Sequence, residues 1–278
     1  MAFQFEDSMI DQYVTQGYVV FEQILPATLV RDLRVQADRA RELAYEVNGP
    51  QTQRIQPVGR YADKIDIKPF EDYCQLPALV DAVHRLLSPQ HQHGHLNLMG
   101  ILLEPQDFPW TCGWHRDGPV EVPEPAYDDI LQAVIAEAWY DTRHFNQVNC
   151  ALYPDSCTWY VPGSHLRQWN RPGERQTHGP LDPSPRVAKL SKAEAEMELH
   201  EHGRSFPGAV QMHLNAGDYM IYRNHAWHNG IYNPNQPRAT IHDSVTHDQA
   251  GDWGARWGQA KRAAVERLEQ RQLAEAEA

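Results

Sequence analysis

The stretch Val148-Asn149-Cys150-Ala151-Leu152-Tyr153-Pro154-Asp155-Ser156-Cys157-Thr158-Trp159-Tyr160-Val161-Pro162-Gly163 holds two short apolar runs, 148–153 and 158–161, parted by a turn and closed by Pro-Gly. Runs of this length bounded by Pro, Gly and Asn read as strands. Three more follow at 210–214, 218–222 and 238–245, with a helical insert at roughly 191–202 between them. Several short strands separated by turns indicate a β-barrel or sandwich.

The chain before this region reads differently. Residues 7–16 form a short amphipathic segment that Gly17 ends, and Tyr18-Val19-Val20-Phe21 is strand-like. Pro26 stands where a helix would start, and Leu29, Leu33, Ala37 and Leu43 mark one buried face of a helix over 27–47. Residues 51–76 read as irregular. A second helix is predicted over 78–88, a buried strand over 95–103, and a helix over 128–138 that covers the outside of a sheet. Helices first and short strands after give an α+β layout. No Pro/Gly/Ser-rich linker divides the 278 residues, so one domain over 1–278 is expected, with a core of about 10–247 and a C-terminal surface helix over about 255–278.

Composition narrows the function. The chain is 41% hydrophobic and 22% charged, an ordinary globular profile. Its formal net charge of -12 and lack of a basic stripe argue against nucleic acid as a partner. Cys74, Cys112, Cys150 and Cys157 form no C-x-x-C pair, which predicts free thiols in a reducing compartment. There is no signal-like start, no apolar run of membrane-spanning length and no peroxisomal ending, so the expectation is a cytoplasmic protein with no membrane partner.

Two segments carry chemistry. In Trp114-His115-Arg116-Asp117-Gly118, a strand would point residues i and i+2 to one face, aiming an imidazole and a carboxylate at one point. Asn224-His225-Ala226-Trp227-His228-Asn229-Gly230 supplies a second imidazole far downstream. Two histidines and a carboxylate form a facial triad that suits Fe(II), with three positions left open. H-x-D alone is a short pattern, and its alternative reading is a turn-capping His115 followed by a loop Asp117. Arg238 lies ten positions after His228. It is expected to open a strand running back beside that of His228, where a guanidinium can clamp a carboxylate bidentately. Thr240, two residues on, would face the same way and donate to the same carboxylate. For Arg238 the plain alternative is a surface salt bridge. Asn97, on the strand before the triad, is either a further contact to that carboxylic acid or a buried structural amide. Trp159 and Trp227 flank the site segments as candidates to line a substrate pocket, with Arg116 as a candidate partner for an anionic substrate. His91, His93 and His95 read as a polar loop, because no Cys or carboxylate completes a metal site there.

Together these motifs resemble the phytanoyl-CoA dioxygenase family of Fe(II)/2-oxoglutarate enzymes. The resemblance runs in order from about residue 10 to about 247 through Gly17-Tyr18-Val19-Val20, Trp114-His115-Arg116-Asp117, the turn from Asp155 into Val161-Pro162-Gly163-Ser164-His165, Gly217-Asp218, His228, Asn233 and Arg238. It implies a double-stranded β-helix, a jelly-roll or cupin-like core with helices packed on one side. It implies His115, Asp117 and His228 as iron ligands, and 2-oxoglutarate held at its far carboxylate by Arg238 and Thr240. O2 would be the second cosubstrate, and a small-molecule C–H bond would be oxidised, most simply by hydroxylation, with release of succinate and CO2. His225 competes with His228 as ligand; the spacing to Asn233 and Arg238 favours His228. Gly230 departs from the small hydroxyl residue often found two positions after the distal His. Asp117 itself argues against the similar iron halogenases, which have a small residue there. Two other readings are a zinc hydrolase on the same triad, in which Arg238 has no role, and a non-catalytic jelly-roll binding protein. The rim that would choose the substrate is placed in 51–76, 105–127 and 166–206. The charged tail after Arg256 reads as a solvated helix face or a contact in a homo-oligomer.

Overall fold

The computed structural model describes residues 3–118, 126, 128–177 and 189–276. Parts of the expected substrate rim, 119–125, 127 and 178–188, lie outside the described residues. The first half of the chain contains α1 (Ser8–Gln16), β1 (Tyr18–Phe21), α2 (Ala27–Asn48), β2 (Arg54–Ile55), α3 (Lys68–Cys74), α4 (Pro77–Leu86), β3 (His91–Gln92), β4 (Gly100–Leu103), β5 (Trp110–Thr111) and α5 (Asp129–Ala138). The second contains β6 (Asn146–Ala151), β7 (Thr158–Tyr160), α6 (Lys192–Ser205), β8 (Val210–Gln211), β9 (Tyr219–Arg223), β10 (His228–Tyr232), β11 (Ala239–Ser244), β12 (Thr246–His247) and α7 (Trp253–Ala276).

Two antiparallel sheets make the sandwich. The major sheet has the order β1-β9-β6-β11-β4-β2 and the minor sheet β5-β10-β7-β8; β12 and β3 form a separate ribbon. Strand alternation sorts the major sheet into two faces. On one face Phe21, Ile101, Leu103, Val148, Cys150, Tyr219, Ile221, Ala239 and Ile241 join the main core with Leu33, Ala37, Phe70, Tyr73, Leu79 and Val83 of α2, α3 and α4. On the other face Leu102, Gln147, Asn149, Tyr222 and His242 look toward the minor sheet and line a cavity. The helices therefore seal one side of the sheet, and the polar side is left to the site.

Local sequence explains several joints. Gly17 adopts φ +82, the left-handed cap that ends α1 and lets β1 start at the next residue. Asp128 caps α5 by accepting from the Leu131 amide at 3.0 Å. Ser191 and Glu194 form a reciprocal capping box on α6. Trp257 and Ala264 of α7 are buried with Leu131, Ile135 and Trp139, so the C-terminal helix is docked through one apolar stripe onto α5. Among the described residues no helix is long and apolar enough to cross a membrane.

Three expectations need correction. The stretch 51–76, read as irregular, contains α3, whose Phe70 and Tyr73 are fully buried. The strand expected over 95–103 begins only at Gly100, because 95–98 forms a turn closed by the Leu98 and Met99 amides on the His95 carbonyl. β11 does not run beside β10: it pairs with β4 and β6 in the opposite sheet. Arg238 therefore approaches the His228 strand from across the sandwich.

Candidate active site

His115 and His228 are held together by their own backbones. They form an isolated antiparallel bridge with N–H to O distances of 3.0 Å in both directions, and their ring centroids are 4.3 Å apart. His115 thus sits in a loop tied to the start of β10 and not in a continuous strand. Asp117 is fixed by its amide donating to the Asn224 carbonyl at 2.9 Å. One ligand atom from each of His115, Asp117 and His228 lies within 4.8 Å of the others.

The donor set fits a metal ion. His115 Nδ1 faces the Gly113 carbonyl at 2.8 Å and His228 Nδ1 faces the Ala226 carbonyl at 3.0 Å. A carbonyl only accepts, so each Nδ1 carries a hydrogen and Nε2 is the nitrogen that each ring can turn to a metal. Asp117 Oδ2 accepts from Asn224 Nδ2 at 2.8 Å and from Gln147 Nε2 at 3.3 Å, which leaves Oδ1 facing His115 Nε2 at 3.5 Å. Metal bonds of about 2.1 Å place neighbouring octahedral donors about 3 Å apart, close to the 3.5 Å between His115 Nε2 and Asp117 Oδ1. Burial pushes His228 down to about 4, so its imidazole is neutral. Burial alone would raise Asp117, but the two imidazoles and Asn224 outweigh it and hold the carboxyl below its ordinary value. Burial would likewise lower His115, yet Cys112 and Asp117 bring it up to about 9, so a metal ion binding there displaces a proton.

The triad opens onto a cavity of about 200 Å³ between the two sheets. Arg238 borders it, fully buried. Its amide donates to Glu104 Oε2 at 2.8 Å, its carbonyl accepts from Arg41 Nη2 at 2.9 Å, and its Nε donates to Asp155 Oδ2 at 2.8 Å. Its Nη1 is buried with no partner, and so is Nδ2 of Asn229 on the same cavity. Two orphaned buried donors beside a metal triad fit a ligand rich in acceptors, as a dicarboxylate is. Arg54 brings a second guanidinium to the same cavity from β2. Across the sandwich, His242 Nδ1 bonds Asn149 Oδ1 at 2.9 Å and Asn149 Nδ2 donates to Thr158 Oγ1 at 3.0 Å, a polar chain joining β11, β6 and β7. Burial, with Arg54 nearby, lowers His242 to about 3, so it is neutral as well.

Several sequence expectations are corrected here. Thr240 does not line the cavity; its hydroxyl donates to Asp155, so it acts on Arg238 only through that carboxylate. Asn97 is exposed on the 95–98 turn and points away from the site, with its Oδ1 beside Gly59. Trp159, Trp227 and Arg116 also lie outside the cavity lining. Each is next in sequence to a residue that borders the cavity; Trp159 lies in β7, where alternation turns it the other way. Trp159 packs against Gly203 and His200, Trp227 donates to Glu174 at 3.2 Å, and Arg116 Nη1 donates to the Arg167 carbonyl at 2.9 Å. His225, the competing imidazole, is fully buried against Trp139 and Phe145 and away from the triad. Asp155, Gln147, Asn149, Asn224, Tyr232 and His242 carry roles that sequence reasoning did not assign. The signal was available for three of them: Gln147, Asn149 and His242 are polar positions alternating with apolar ones in strands.

A jelly-roll sandwich with a His/Asp/His triad between its sheets defines the class of cupin-like metal oxygenases. The family model for phytanoyl-CoA dioxygenase (PhyH) matches residues 13–238, and the chain belongs to that family. It is accordingly an enzyme of the 2-oxoglutarate-dependent type, which sets aside the hydrolase and binding-module readings. Among solved structures, HygX from Streptomyces hygroscopicus with nickel and 2-oxoglutarate bound is 12% identical over 88% of each chain, with a TM-score of 0.57. AviO1 from Streptomyces viridochromogenes is 14% identical over 90% of this chain and 99% of its own, with a TM-score of 0.55. The non-heme alpha ketoglutarate dependent carbocyclase SnoK from nogalamycin biosynthesis is 18% identical over 88% of this chain and 85% of its own, with a TM-score of 0.52. At these identities the likeness shows the fold. No curated protein matches the chain.

Proposed function

We propose that the chain acts as one domain in which His115, Asp117 and His228 hold Fe(II), and that it couples 2-oxoglutarate and O2 to oxidation of a C–H bond of a small molecule. In its simplest form 2-oxoglutarate, O2 and R–H give succinate, CO2 and R–OH. The carrying observation is the orientation of the triad: both Nδ1 atoms are engaged by backbone carbonyls, so both Nε2 atoms and Asp117 Oδ1 converge on one point. When bound, the iron supplies the oxidising chemistry. The protein supplies the rest. Asn224 and Gln147 hold the Asp117 carboxylate in one orientation. Arg238 binds the far carboxylate of 2-oxoglutarate through Nη1, while Asp155 fixes the opposite edge of the guanidinium. The two sheets flank the cavity, which stays open to solvent at His115 and Asp117, 25% and 29% exposed.

A small-molecule substrate is supported by the cavity size and by the HygX complex with hygromycin B, a protein of the same fold. Hydroxylation is the reading that needs no further assumption; the same fold also carries a carbocyclase and an epimerase. The test is succinate formation from 2-oxoglutarate in air with added Fe(II). Wild type should form succinate slowly without substrate and faster with a fitting one. Asp117→Ala and His228→Ala should form none above background. Succinate formation by those variants at the wild-type rate is the contrary result.

A further inference from the structure

Strand β10 sends His228, Gly230 and Tyr232 to the same side, since alternate residues share a face. All three border the cavity. A Cβ built at Gly230 would lie 2.8 Å from Tyr232 Cε2 and 3.2 Å from the Tyr232 hydroxyl oxygen. The Tyr232 ring is therefore folded back along its own strand, over the place a side chain at 230 would occupy.

The ring is fixed there. Trp110 meets it edge-on at 5.0 Å, and the Arg238 guanidinium carbon lies 4.3 Å from its centroid. A phenol has one hydrogen to donate. Among the described residues that hydrogen has no acceptor. It borders the same cavity as the buried, unpartnered Arg238 Nη1.

We propose that the Tyr232 hydroxyl is a second donor to the far carboxylate of 2-oxoglutarate, and that position 230 is glycine because the tyrosine ring takes its space. This rests on the 2-oxoglutarate site proposed above. A phenol reaching from position 232 supplies a neutral, strongly directional donor next to the charged one. Arg238 then fixes the charge of the ligand, and Tyr232 fixes where its carboxylate oxygens lie. The donor is also carried on the strand of a metal ligand, so one short element sets both ends of the cosubstrate.

The test is calorimetric titration of 2-oxoglutarate into the full chain loaded with Ni(II), after the Ni(II) affinity itself has been measured. Tyr232→Phe keeps the ring and removes the hydroxyl. It should weaken 2-oxoglutarate binding about ten-fold or more, the scale of a hydrogen bond to a charged group, with the Ni(II) affinity within about two-fold of wild type. Gly230→Ser should weaken 2-oxoglutarate binding when Tyr232 is present, whereas in a Tyr232→Ala background the same serine should strengthen it. Unchanged 2-oxoglutarate affinity in Tyr232→Phe overturns the proposal, as does an equal loss of Ni(II) affinity, which would make the phenol a purely structural group. A serine at 230 that is harmless beside Tyr232 overturns the shared-space argument. Wild type that binds Ni(II) but no 2-oxoglutarate overturns the underlying site reading and this inference with it.

Discussion

Asp117 can act as a single-oxygen ligand because its other oxygen is already engaged by Asn224 and Gln147. Removing the stronger donor should free the carboxylate to rotate. Asn224→Ala is expected to lower metal affinity about ten-fold or more, the usual cost of losing a partner behind a metal ligand. Competition against a metallochromic dye measures it, and an unchanged affinity would mean that Gln147 alone orients the group. Asp155 illustrates a different dependence. It is buried, it accepts from Arg238, Thr240 and the Cys157 amide, and those partners outweigh burial and hold its carboxyl below the ordinary range. Deleting it strands a buried guanidinium, so Asp155→Ala should destabilise the fold by about 3–5 kcal/mol in urea unfolding, with Asp155→Asn losing less. A cost under about 1 kcal/mol would mean that water reaches Arg238. At this scale the triad was legible in the sequence, because H-x-D and a distal histidine with an arginine after it are local patterns. The partner of Arg238 was not, because Asp155 and Arg238 meet only through strand pairing across β6 and β11. The three misplaced substrate candidates share one cause: nearness in sequence was read as nearness in space.

Elements show the same division. The short strands of the second half announce themselves by apolar runs between turn residues, and all five expected there exist, although 210–214 shortens to Val210–Gln211. α3 did not announce itself: seven residues give too few turns for a helical period to emerge, and its burial comes from the sheet it covers. α6 offers a test of packing against propensity. Gly203 lies inside the helix, and a Cβ there would stand 2.6 Å from Trp159 Cε2. Alanine raises helix propensity by about 1 kcal/mol, yet Gly203→Ala must displace a buried indole. A net loss of about 1–3 kcal/mol is expected from overpacking. Thermal unfolding measures the sign. A gain in stability would show that Trp159 repacks freely, and the close approach of α6 to β7 would then not constrain the site wall.

The whole molecule carries buried neutral histidines that make its stability depend on pH. His93 is buried against Tyr73 and Tyr219, neither ring nitrogen has a partner, and burial lowers it to about 4. The unfolded chain binds a proton at His93 near its ordinary pKa of about 6.5, whereas the folded chain does not until about 4. The unfolded state thus holds more protons between those values, and stability falls as pH falls through that window. The His93 share is on the order of 3 kcal/mol. His93→Leu should flatten the decline of the unfolding midpoint between pH 6.5 and pH 4.5, and a slope identical to wild type would place the proton uptake elsewhere. Which molecule enters depends on the rim, and rim loops leave no periodic trace in a sequence. The central claim is that one cavity between the two sheets holds a metal at His115, Asp117 and His228 and 2-oxoglutarate against Arg238. Anaerobic visible absorption tests it most directly, with Fe(II) and then 2-oxoglutarate added to wild type, His228→Ala and Arg238→Ala. The account predicts a charge-transfer band that needs both additions, is absent in His228→Ala and requires far more 2-oxoglutarate in Arg238→Ala. Folded, iron-loaded wild type that shows no band on adding 2-oxoglutarate would contradict it.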